Sequence, residues 1–91
     1  MEIERSITVY NRKTERLKEE INIDYIDLVE LKRIFKPVDE DPLMYMAYEI
    51  SEDLVQPVNE LLGNKIKFDL QKNSYFVECA QLPPYDFEKQ N

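Results

Sequence analysis

Apolar and polar residues alternate along the first quarter of the chain. Apolar side chains recur at alternate positions, first at Ile3, Ile7 and Val9 and then at Leu17, Ile21 and Ile23. A period of two is typical of a half-buried strand, and the polar stretch between the two runs can form a turn. The pattern therefore predicts a hairpin with strands near 3–11 and 16–23.

Two later segments change to helical spacing. The first starts at Asp27, which fits a capping box with Glu30, and runs to about Phe35. The second starts at Ser51, a good N-cap residue, and ends before Gly63, the only glycine, which suits the position just after a helix. Its apolar stripe consists of Leu54, Val55, Val58, Leu61 and Leu62.

Three more strands complete the predicted order ββαβαββ. The strand near 44–50 is expected to place one set of side chains in the core, namely Met44, Met46, Tyr48 and Ile50. Lys65–Asp69 and Ser74–Ala80 are expected to form a second hairpin. The sequence thus predicts one α+β domain over residues 1–80, with a mainly antiparallel sheet, two short helices packed on one face, and an extended or frayed tail at 81–91.

The formal net charge of -7 is concentrated in one part of the chain. Residues 37–64 contain seven acids and no base, whereas the segments before and after it each sum to zero. Nucleic acid is not expected as a partner, because phosphate binding needs clustered Lys and Arg. The single cysteine, the start without an apolar signal region and the lack of a long apolar stretch predict a cytoplasmic protein without membrane contact.

The residue inventory argues against an enzyme. The chain contains no histidine and a single glycine, which excludes a Cys-His or Ser-His nucleophile pair and a glycine-rich phosphate loop. A calcium loop starting at Asp39 would need Gly and Glu where Met44 and Ile50 stand. We therefore expect no catalytic activity, no cofactor and no metal ion, with a weak metal-binding or enzymatic domain as a distant alternative.

The acidic segment, residues 37–64, has two interpretations. Its acids can be solvated loop residues and helix-dipole partners with no further role. Alternatively, a tyrosine within an acidic rim resembles a protein-binding hot spot, and the concentrated charge would attract a basic protein. The second interpretation predicts a set of partner-binding residues: Asp39, Glu40, Asp41, Tyr45, Glu49, Glu52, Asp53 and Glu60.

Three stretches carry a resemblance to known families: residues 7–15, Ile26–Leu31, and Asp41-Pro42-Leu43 with Tyr48-Glu49-Ile50. They resemble a small bacterial domain family of unknown function, and the chain is similar to the acidic immunity proteins of contact-dependent growth inhibition and related toxin systems. The resemblance covers residues 3 to about 80. It implies a cytoplasmic protein that binds and neutralises a cognate toxin, often a nuclease. The alternative is a regulatory or adaptor module that binds a basic host protein.

Overall fold

The first and last strands pair at the centre of a four-stranded antiparallel sheet. β1 (Glu2–Asn11) and β4 (Asn73–Leu82) pair along their whole length. β2 (Leu17–Asn22) lies beside β1, and the two-residue β3 (Tyr48–Glu49) lies beside β4, which gives the order β2-β1-β4-β3. The structure is a computed structural model and describes residues 2–82. The predicted α+β class with an antiparallel sheet is confirmed.

The first helix, α1 (Leu28–Phe35), begins as the sequence predicts. The Asp27 side chain accepts a hydrogen bond of 3.0 Å from the amide of Val29 and so satisfies one of the free N–H groups of the first turn. Glu30 does not complete the predicted capping box. Its carboxylate contacts Arg33 one turn later at 3.2 Å.

The second helix, α2 (Glu52–Leu61), ends in the predicted glycine motif. Gly63 adopts a φ of 73°, in the left-handed region that glycine reaches without a Cβ penalty. The amide of Gly63 donates to the carbonyl of Glu60 at 3.1 Å, and the amide of Asn64 donates to the carbonyl of Asn59 at 2.7 Å. These two bonds satisfy carbonyls that the helix end leaves free.

The core lies between one face of the sheet and the two helices. Odd-numbered positions of β1 and β4 point into it, because successive strand side chains point to opposite faces. Burial of these side chains removes apolar surface from water and is the main favourable term in folding. The buried apolar residues are Ile7, Val9, Ile23, Leu31, Met44, Ile50, Val58, Leu62, Ile66, Tyr75 and Val77.

The predicted strand at Lys65–Asp69 is wrong. These residues have no regular secondary structure, although Ile66 is buried as the alternation predicts. The segment is held instead by side chains. The amide of Asp69 donates to the Tyr75 hydroxyl at 2.9 Å, and the Phe68 ring packs on Tyr75 at 4.6 Å between centroids. A second hairpin would need a free edge of β4, but β1 and β3 already occupy both of its edges.

The predicted strand near 44–50 is shorter than expected. Only Tyr48 and Glu49 pair with β4, and Met46 is 59% exposed rather than part of the core. Met44 has a φ of 54°, so the chain is not extended there and strict alternation does not apply. Ile50 is buried as predicted.

The predicted tail begins where β4 is still paired. Residues 81 and 82 belong to β4, and the rest of the predicted tail, 83–91, lies outside the described residues. Between residues 2 and 82, no helix has the length and apolar content needed to cross a membrane.

Two valines provide a matched test of the core. Val77→Ala is expected to lower the free energy of unfolding by about 2 kcal/mol, because it deletes two buried methyl groups and leaves a cavity. Val29→Ala makes the same change on the exposed side of α1, where Val29 is 58% exposed, and should change stability by less than about 0.5 kcal/mol. Urea denaturation followed by circular dichroism measures both, and equal effects would contradict the assignment of the core.

Candidate functional site

The chain between α1 and β3 forms a loop organised around one buried carboxylate. We call residues 37–47 the Asp41 loop. Asp41 is only 5% exposed, and its carboxylate accepts three hydrogen bonds. The amides of Tyr45 and Met46 donate at 2.8 and 3.1 Å, and the Tyr48 hydroxyl donates at 2.6 Å. The side chain thus satisfies backbone groups that no sheet or helix serves here.

These hydrogen bonds also keep Asp41 ionised. The bond from the Tyr48 hydroxyl is the main cause of a lowered Asp41 pKa, and the amides of Tyr45 and Met46 add to it against the effect of burial. The same bond raises the pKa of Tyr48 to about 12, because a phenolate beside the carboxylate is disfavoured. Asp41 is therefore an anion and Tyr48 a neutral donor at neutral pH.

Two residues of the central strands fasten the Asp41 loop to the sheet. Arg5 donates from Nη2 to the carbonyl of Leu43 at 2.8 Å. Cys79 donates from Sγ to the carbonyl of Met44 at 3.4 Å, and the Met44 side chain is fully buried below. Burial is the main cause of a raised pKa for the Cys79 thiol, so this sulfur remains protonated and can donate.

This fixed loop holds large apolar side chains in solvent. Four of them are about half exposed or more: Val38, Leu43, Tyr45 and Met46, at 56%, 45%, 48% and 59%. Single exposed apolar residues are common, but several from one short loop are typical of a surface that another molecule covers. The Asp41 loop is therefore the leading candidate site within the described part of the chain.

The structure brings only part of the predicted contact set together. Asp39 and Glu40 are exposed in the Asp41 loop, which also exposes Tyr45. Asp41 is buried and its carboxylate bonds to its own loop, so it is not exposed for contact with a partner as the prediction requires. Glu49 lies opposite Phe76 in the sheet, on the face away from the core.

The remaining predicted acids lie on α2. Glu52 and Asp53 are exposed in its first turn, and Ser51 donates to Asp53 at 2.6 Å instead of capping the helix with its side chain. Glu60 is exposed in the last turn and accepts from Gln56 at 3.2 Å. Asp53 and Glu60 are seven residues apart, about 10 Å along the helix, so this pair belongs to a solvated helix face.

Sequence reasoning missed a polar cluster on the other face of the sheet. Glu78 accepts hydrogen bonds through Oε2 from Thr8 and, at 3.0 Å, from the Tyr10 hydroxyl. The bond to Glu78 is the main cause of a raised Tyr10 pKa. Tyr10 also packs edge-on against Phe76, with centroids 5.8 Å apart. Alternation within each strand predicts the direction of these side chains, but only the pairing of β1 with β4 brings them together.

Asp41→Asn tests the organisation of the loop. An amide has one oxygen instead of two, so it leaves part of the donor set without an acceptor, and we expect a clear loss of stability at neutral pH. Because the folded pKa of Asp41 lies below its ordinary value of 3.8, the wild-type carboxylate stabilises the protein above that value. That contribution fades as pH falls through the lowered folded pKa.

Urea denaturation across the acidic range measures the effect. The stability of Asp41→Asn should depend less on pH there than that of the wild type. Glu40→Gln is the matched control, because Glu40 is an exposed acid of the same loop, and it should leave stability unchanged. If both variants behaved alike, Asp41 would not organise the loop.

Comparison with known sequences adds a family but no activity. Residues 4–78 match a domain of unknown function, DUF7683, and the match includes the Asp41 loop and most of the sheet. A search of curated proteins finds no match. Within the described residues, no group of three or more His, Cys, Asp or Glu side chains is placed to hold a metal ion. The chain belongs to the DUF7683 family.

Proposed function

We propose that the protein is a binding module that captures a basic protein through the Asp41 loop. The observation that carries the proposal is the fixed loop itself, which exposes Leu43, Tyr45 and Met46 while a buried carboxylate holds its backbone. A loop ordered before binding loses little conformational freedom when it binds, which favours affinity. Tyrosine is also enriched among the residues that contribute most to binding energy.

The charge around the loop supports a basic partner. Asp39 and Glu40 stand in the same loop, and no Lys or Arg occurs anywhere in residues 37–64. A surface of one sign accelerates association with an oppositely charged protein and repels acidic ones. The exposed apolar side chains would then supply the short-range contacts, since buried apolar surface slows dissociation more than rim charges do.

Within this proposal, the protein is an immunity-type inhibitor of a toxin. Enzymes that act on nucleic acids bind phosphates with clustered Lys and Arg. An acidic protein seated on such a cluster would exclude the substrate from it. A nuclease toxin is therefore the class of partner that fits the charge of the Asp41 loop best.

The decisive experiment uses the product of the gene directly upstream. We expect it to be retained by the tagged protein, and we expect cells that produce it to survive when this chain is produced with it. Capture without protection would favour an adaptor role instead. If the tagged protein does not retain this gene product and the cells are not protected, the toxin assignment is wrong.

Tyr45 is the sharpest test of the loop as the contact surface. Tyr45→Ala should weaken binding of the captured protein by about 30-fold, the effect of a hot-spot residue worth about 2 kcal/mol. Tyr25→Ala is the matched control, because Tyr25 is a similarly exposed tyrosine whose ring contacts Lys65 outside the loop. Calorimetry measures both affinities, and an equal loss in the two variants would contradict the assignment.

The exposed acids of the loop provide a separate kinetic test. The double variant with Asp39→Lys and Glu40→Lys should lower the association rate and flatten its dependence on salt. The double variant with Asp53→Lys and Glu60→Lys changes net charge equally on α2 and should affect the rate much less. Surface plasmon resonance at several salt concentrations distinguishes them. If the α2 variant had the larger effect, the partner would approach the helix.

A further inference from the structure

Within residues 2–82, neither helix covers the opposite face of the sheet. We call this the open face and define it by strand alternation and register. Its β1 and β2 positions are Glu4, Ser6, Thr8, Tyr10, Leu17, Glu20 and Asn22. Its β4 and β3 positions are Ser74, Phe76, Glu78, Ala80 and Glu49. A sheet face without a layer of structure over it is normally polar and solvated.

The paired strand positions of the open face carry charge of one sign only. Four of the strand positions just named are acids, Glu4, Glu20, Glu49 and Glu78, and none is Lys or Arg. A count of charges along the sequence does not reveal this feature, because the formal charges of the first 36 residues sum to zero. The pleat separates the charges: Arg5 pairs with Cys79 on the core side, whereas Glu4 pairs with Ala80 on the open side.

An aromatic cavity lies within this acidic face. Its volume is about 470 Å³, and its lining includes Tyr10, Phe76, Ser74 and Glu78. The edge-on packing of Tyr10 against Phe76 fixes both rings, and apolar side chains are well accommodated against such surfaces. Arg12, just after β1, also lines the cavity, and its Nε donates to the carbonyl of Leu70 at 2.6 Å.

The carboxylate of Glu78 on the open face is oriented by two hydrogen bonds. Thr8 and Tyr10 donate to its Oε2, which fixes the carboxylate above the strands. A carboxylate that is already oriented loses less side-chain entropy on binding than a free one.

We propose that the open face docks a lysine- or arginine-bearing segment of a protein. One cation of that segment lies beside Glu78 and others lie near Glu4 and Glu20, while an apolar side chain enters the cavity against Tyr10 and Phe76. The proposal takes the partner to be a basic protein and in that respect rests on the proposed function, to which it adds a second contact surface. The combination of apolar contact with cations selects a peptide segment over a simple ion.

The test uses a short capped peptide in which lysines alternate with leucine and threonine. Titration into the isotope-labelled protein should shift the amide resonances of β1 and β4, with the largest changes near Tyr10, Phe76 and Glu78. A peptide with glutamate in place of lysine should produce no shifts. An absence of shifts with the lysine peptide overturns the proposal, as do shifts confined to the Asp41 loop.

Two adjacent glutamates provide the matched control. Glu20 faces the open side opposite Thr8, and Glu19 faces the core side opposite Val9, although both are exposed on β2. Glu20→Lys should weaken peptide binding about fivefold, the scale of one exposed charge pair, whereas Glu19→Lys should change it by less than about twofold. Equal weakening would mean that the peptide responds to net charge alone and would overturn the proposal.

The outcomes separate this inference from the proposed function. If the lysine peptide does not bind the open face, the capture experiment and the Tyr45→Ala measurement still test the proposed function. Failure of capture, together with peptide binding that Glu20→Lys weakens, removes the toxin assignment but retains a basic-segment site. If sedimentation shows a dimer that Glu20→Lys dissociates, the face belongs to a second copy of this chain and the proposal is wrong.

Discussion

The antiparallel pairing of β1 with β4 is the interaction on which both surfaces of the protein depend. It joins residues more than sixty positions apart in the chain and forms the centre of the sheet. Its register places Arg5 beside Cys79, and these two side chains hold the Asp41 loop from below. The same register places Thr8 and Tyr10 within reach of Glu78 on the open face. Contacts so distant in sequence close a long loop, so they form at a high entropic cost.

The Asp41 carboxylate accepts hydrogen bonds from backbone amides, which strand pairing satisfies elsewhere in the sheet. Between Asp41 and Tyr48 the chain has no ladder partner, and the amides of Tyr45 and Met46 would lack acceptors without this side chain. A buried charge is tolerated here because three donors compensate the loss of water. The loop therefore keeps its shape with Met44 buried in the core while Leu43 and Met46 remain in solvent.

The features that the sequence predicted correctly are those set by nearby residues. The hairpin of β1 and β2, the Asp27 cap and the glycine end of α2 each depend on a few adjacent positions. The predicted strand at Lys65–Asp69 is wrong because β3 occupies the edge of β4 with which this segment would have to pair. Alternation within the segment does not reveal that another strand competes for the same edge. A segment with the right periodicity becomes a strand only where a free edge is available.

The candidate site was partly predictable for the same reason. The acidity of the Asp41 loop follows from composition. Tyr45 is exposed as predicted, although the alternation behind that prediction fails at its neighbour Met46. The role of Asp41 is different, because nothing in the run Asp39-Glu40-Asp41 distinguishes the acid that turns inwards. Its hydrogen bonds reach four, five and seven residues ahead, beyond the local turns that sequence patterns identify. The Glu78 cluster joins residues about seventy positions apart and has no local pattern at all.

The Asp41 loop and the open face meet at β3, and this position limits how a partner can bind. Tyr48 points to the core side and holds Asp41, whereas its neighbour Glu49 points to the open face beside Phe76. A partner strand cannot add usefully to this edge, because β3 is only two residues long and offers few backbone groups for pairing. Recognition along this side of the sheet must therefore come from side chains. Under the proposed function, the acids and apolar groups on the two sides of β3 would face the same basic protein.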